Sequence, residues 1–87
     1  MNQSLHDIRI LVVDDDAEFL EIVVESLEKE GFAVESATNG DLVLSAIKAK
    51  NIDIVVTDIR MPGKNGLSLL MEIKQIYPFV PVIMITG

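Results

Sequence analysis

Cysteine is absent from the 87 residues. That excludes a disulfide framework and a thiolate metal site, and it suits a reducing compartment. Cations are scarce: seven Lys and Arg stand against 14 Asp and Glu, leaving a formal net charge of −7. Such a balance opposes direct contact with nucleic acid or an anionic membrane. No basic segment leads into an apolar one before the first strand, so no signal peptide is read. The longest apolar run, Phe79 to Ile85, contains Pro81 and falls far short of the roughly 20 residues a membrane span needs. No Gly-x-Gly-x-x-Gly follows the first strand, which speaks against a nucleotide-binding Rossmann unit. Internal repeats, linkers and low-complexity segments are missing as well. What remains is an apolar content of 49% in one short chain, the composition of a single small domain with a core. A soluble, cytoplasmic protein is expected.

The apolar pattern alternates between strand and helix. Ile8 to Val13 is a β-branched run interrupted only by Arg9 and Leu11, and it ends in Asp14-Asp15-Asp16. Ala17 to Glu30 has helical spacing, with Asp15 or Asp16 able to cap its start and Gly31 suited to end it. Phe32 to Ala37 reads as a second strand, and Asn39-Gly40 as a turn. Asp41 to Lys50 is a second helix, Asp53 to Thr57 a third strand. Gly66 to Tyr77 is a third helix stopped by Pro78, and Val80 to Thr86 a fourth strand. This β-α-β-α-β-α-β order implies parallel strands joined by right-handed crossovers.

Parallel strands bring their carboxyl ends to one edge, where ligands of open α/β sheets bind. Asp14, Asp15 and Asp16 end the first strand, Asp58 follows the third and Thr86 the fourth. With the first and third strands adjacent, roughly 4.7–4.9 Å apart, several carboxylates converge. Like charges so close raise one another's pKa unless a cation joins them. Hard oxygens with room for water favour Mg²⁺. The plainer alternative makes Asp14-Asp15-Asp16 a helix-capping cluster and Asp58 the start of a turn. His6, the sole histidine, lies before the first strand and reads as a disordered or capping residue, not a phosphoryl carrier.

Val12-Val13-Asp14-Asp15, Asp58 followed by Pro62 and Gly66, and Val82-Ile83-Met84-Ile85-Thr86 together resemble the receiver domain of bacterial two-component response regulators. The resemblance covers essentially the whole chain. It implies an α/β, flavodoxin-like receiver fold whose parallel sheet has the order 2-1-3-4, with residues 1–87 as one receiver domain. It implies Asp58 as the phosphoacceptor, with a sensor histidine kinase or a phosphotransfer protein as partner and Mg²⁺ as cofactor. Asp15 would ligate the ion directly, Asp14 mostly through water, alongside Asp58 and the backbone carbonyl of Arg60. Thr86 matches the switch hydroxyl, with the Gly87 amide beside it. Pro62 stiffens the loop, while Gly66 permits either a positive φ or a tight entry to the third helix.

Family receivers continue with a fourth helix, a fifth strand and a fifth helix, which carry a phosphate-binding Lys and a switch aromatic. Neither has a counterpart here, since Lys64 and Tyr77 lie on other elements. The domain is therefore expected to lack its last helix-strand-helix segment and to accept a phosphoryl group slowly. The fourth strand becomes an edge, and self-association through it is expected.

Two further readings stand beside the phosphoacceptor. One is a receiver-shaped interaction module that works by self-association or partner binding without phosphorylation. The other is an enzyme: Asp14-x-Asp16 with Thr86 resembles a haloacid-dehalogenase-like phosphatase. Ala17 departs from that pattern, no later Lys and acidic pair exist, and the Asp58–Pro62–Gly66 spacing goes unexplained. The sequence therefore favours a non-enzymatic signalling module.

Overall fold

The computed structural model describes residues 7–61, 63 and 65–85. Strand β1 (Arg9–Val13) leads into helix α1 (Ala17–Lys29), and β2 (Ala33–Ala37) follows. A short 3-10 turn, Gly40–Leu42, precedes α2 (Val43–Lys50). Then come β3 (Ile54–Asp58), α3 (Gly66–Ile76) and β4 (Val82–Ile85). All pairings are parallel, and the sheet order is β2-β1-β3-β4. This is the flavodoxin-like order the sequence implies.

Alternation along the central strands divides the core in two. Leu11, Val13 and Val55 pack with Val43 and Ile47 of α2 and with Leu69 and Ile73 of α3. Ile10 and Val12 turn the other way, onto Leu20 of α1, with Val23, Val24 and Leu27 partly buried beside them. The β1 and β3 runs are apolar at successive positions because both faces are covered.

Local signals set the element ends. The Asp16 side chain caps α1, accepting from the N–H groups of Glu18 and Phe19 at 3.1 and 3.2 Å. Of the two acids eligible for this role, Asp16 takes it. Gly31 follows the α1 C-cap with φ of 100°, a conformation glycine adopts without penalty. Asn65 caps α3 by accepting from the Ser68 N–H at 2.9 Å.

Several boundaries differ from those read in the sequence. The second helix starts at Val43 because Asn39 accepts from the Asp41 N–H, shaping Gly40–Leu42 as a separate 3-10 turn. Asp53 stands before β3, its carboxylate accepting from the Arg9 N–H at 2.9 Å. β4 starts at Val82, since the Val80 N–H is bonded to the Tyr77 carbonyl and Pro81 has no N–H to offer.

Candidate functional site at the carboxyl edge of the sheet

Val13 and Thr57 pair across β1 and β3, so Asp14, just past the end of β1, and Asp58, the last residue of β3, lie side by side at this edge. One carboxylate oxygen each from Asp14, Asp15 and Asp58 lies within 4.8 Å of the other two. Asp14 is buried, at 4% exposure; Asp58 is half-buried and Asp15 open to solvent. The cluster thus grades from the sheet interior to water, leaving room on one side for an approaching group.

The Asp14 and Asp58 carboxylates each accept from one backbone N–H. The Asp14 N–H donates to the Ala37 carbonyl at 3.1 Å, and Asp14 Oδ1 accepts from the Asp16 N–H at 2.9 Å. Asp16 therefore serves two ends, capping α1 with its side chain and steadying Asp14 with its amide. Asp58 Oδ1 accepts from the Arg60 N–H at 3.2 Å. Behind Asp58, the entry to α3 comes very close. The Gly66 N–H donates to the Ile59 carbonyl at 2.8 Å, and a Cβ on Gly66 would stand 2.6 Å from the Asp58 carbonyl oxygen. Gly66 is not among the residues of positive φ. Of the two roles open to it, the tight helix entry is the one observed.

The electrostatics are those of clustered carboxylates. Burial pushes the Asp14 carboxyl above its ordinary value, and the charges of Asp58, Asp15 and Asp16 push in the same direction. The Asp16 N–H opposes them. Three hard oxygen donors in reach of one another, one of them reluctant to ionise, form the donor set a small divalent cation satisfies. The residues present fit Mg²⁺.

Not every expected site residue can be placed. Pro62, Thr86 and Gly87 lie outside the described residues. Arg60 is described and contributes its amide to Asp58. One contact escaped the sequence reading. Thr57 is fully buried, and its hydroxyl donates to the Asp58 carbonyl at 3.0 Å. In sequence it reads only as another β-branched strand residue.

A doubly wound parallel sheet with an acidic triad at its carboxyl edge is the arrangement that the resemblance to receiver domains implies. The response regulator receiver domain family matches residues 10–87. The chain belongs to that family. It is 42% identical over 78 residues to the DNA-binding transcriptional regulator NtrC of Salmonella typhimurium, covering 90% of this chain and 17% of the relative. It is 39% identical over 80 residues to the heme response regulator HssR of Staphylococcus epidermidis, covering 92% and 35%. The chain thus spans a minor part of these curated relatives. Among solved structures, a response regulator receiver domain protein from Clostridium thermocellum superposes with a TM-score of 0.86 at 36% identity, covering 92% of this chain and 65% of that one. TrrA from Thermotoga maritima, solved in complex with Mg²⁺ and BeF, gives a TM-score of 0.86 at 38% identity, covering 91% and 69%. Receiver domains are regulatory rather than catalytic, bind Mg²⁺ at an acidic pocket, and interact with histidine kinases or phosphotransfer proteins.

Proposed function

We propose that this chain is the phosphoacceptor module of a two-component phosphorelay, with Asp58 as the acceptor. The convergence of Asp14, Asp15 and Asp58 oxygens within 4.8 Å carries the reading. In the transfer, a carboxylate oxygen of Asp58 attacks the phosphorus of a phosphohistidine on a sensor kinase or phosphotransfer protein. The P–N bond breaks, its electron pair returns to the imidazole, and Asp58 is left as an acyl phosphate.

The chain's residues position rather than react. The Arg60 N–H orients the Asp58 carboxylate, and its half-exposed setting lets a phosphoryl donor approach. Asp15 and Asp58, with Asp14 through water and the Arg60 carbonyl, are the proposed holders of Mg²⁺. Bound there, the ion supplies positive charge against the carboxylates and the phosphoryl oxygens. The net charge of −7 sets these residues apart from any DNA contact. No described helix is long and apolar enough to cross a membrane, and the partner chemistry suits the cytoplasm.

A second reading concerns assembly. Ile83, in the outermost strand of the described sheet, is 52% exposed, and Phe79 just before it is 94% exposed. We propose that the 87-residue chain self-associates through this strand, in the manner of the interaction module.

Titration with Mg²⁺ or Mn²⁺ by calorimetry tests the acceptor site. Asp58→Ala and Asp15→Ala should each weaken binding by at least the roughly tenfold that loss of an outer partner of a metal ligand costs, since each removes a proposed direct ligand. Unchanged affinity in both variants would remove the site.

A further inference from the structure

The Thr57 hydroxyl is buried in an apolar strand, where β-branched packing alone would be served as well by valine. Thr57 is 0% exposed and pairs with Val13 and Met84 across the sheet. Val55, the preceding residue on its face, packs in the core with Leu69 and Ile73. A hydroxyl among such neighbours costs free energy unless it is bonded. Its bond goes neither back along β3 nor across to another strand. It donates forward, to the carbonyl of the adjacent Asp58, at 3.0 Å.

The Gly66 backbone lies close behind that carbonyl, where a Cβ would stand 2.6 Å away, and the Gly66 N–H bonds the next carbonyl, that of Ile59, at 2.8 Å. The backbone of Asp58 thus sits between its pairing with Ile85 of β4 and the entry to α3. Its side chain is held separately, by the Arg60 N–H. A carboxylate at a strand end has only the rotations about Cα–Cβ and Cβ–Cγ left once its backbone is set. Fixing the carbonyl therefore fixes where the carboxylate can reach toward Asp14 and Asp15.

We infer that Thr57 is a positioning residue for Asp58, its buried hydroxyl holding the backbone from which the acidic triad is assembled. The inference rests on the reading of Asp58 as part of a Mg²⁺ and phosphoryl site, and it adds a residue that acts only through Asp58. Thr57→Val keeps the branched shape and removes the donor. Thr57→Ser keeps the donor and removes the methyl group.

The test follows Mg²⁺ titrations of the full chain by NMR, together with the carbonyl ¹³C shift of Asp58 in the metal-free protein. Thr57→Val should move that carbon shift and weaken Mg²⁺ binding by about tenfold, the scale on which outer partners of metal ligands act, while Thr57→Ser stays within about twofold of the parent. A purely structural role would lower the unfolding midpoint without this split between serine and valine. Thr57→Val binding Mg²⁺ like the parent overturns the inference. Should the valine variant fail to fold, the serine variant decides: parental affinity supports the hydroxyl, and a tenfold loss assigns the effect to the methyl group and overturns it. A parent chain that binds no Mg²⁺ at all overturns the acceptor reading first, and this inference with it.

Discussion

Gly66 lies directly behind Asp58, so close that any side chain there would have to move the backbone of the strand end or of the helix entry. A Cβ would stand 2.6 Å from the Asp58 carbonyl oxygen and 2.8 Å from the Ile59 Cα. Both obstacles are backbone, without a rotamer to yield. Alanine at a helix start is otherwise favoured over glycine, by up to about 1 kcal/mol. Overpacking of this kind costs about 1–3 kcal/mol and outweighs that gain. Gly66→Ala should therefore lower stability in urea denaturation and, by shifting Asp58, weaken Mg²⁺ binding. A more stable variant would show that the helix entry can move away from the strand freely.

The raised pKa of Asp14 gives a stability profile of definite sign. Its folded value lies above the ordinary 3.8, through burial first and then the neighbouring carboxylates. The folded state therefore holds this proton more tightly than the unfolded chain. Stability falls as pH rises from about 3.8 through the folded value, and the full penalty persists above it. Asp14→Asn keeps an oxygen for the Asp16 N–H and removes the charge. Without metal, the variant should unfold at higher denaturant than the parent at neutral pH, with the gap closing toward acid. Excess Mg²⁺ should stabilise the parent and shrink the gap. Parallel pH profiles for the two proteins would contradict the assignment.

Much of this architecture was legible in the chain itself. The apolar runs of β1 and β3 show themselves because both faces are covered, and a run without polar breaks is hard to mistake. The triad followed from parallel topology, which delivers Asp14, Asp15 and Asp58 to one edge whatever the details of packing. Other features depend on distances no spacing reveals. Asn39 shaping a 3-10 turn before α2, and Asp53 bonding to Arg9 outside its strand, are choices among local hydrogen bonds of similar strength. Thr57 was invisible for a related reason. A threonine in a strand is commonplace, and only the structure shows that its hydroxyl faces the next carbonyl.

Self-association can be examined through Ile83. It pairs with Val56 in the register of β3 and β4, on the face where α1 supplies the cover, yet is 52% exposed. Burying such a side chain fully is worth roughly 1.5–3 kcal/mol, and β4, which among the described residues pairs only with β3, presents an edge that invites another strand. At micromolar concentration the chain should sediment as a dimer or larger species, and Ile83→Lys should shift it toward the monomer. A cooperative, well-folded monomer at that concentration sinks the proposal.

Asp58 is the centre of the proposed function, and the most direct measurement on it is chemical. The chain is incubated with acetyl phosphate and Mg²⁺, the acyl phosphate is reduced with borohydride, and the modified residue is located by mass spectrometry. The predicted result is a single modification at Asp58 that requires Mg²⁺ and vanishes in Asp58→Asn. A modification at another acid, or one that persists in Asp58→Asn, would contradict the account.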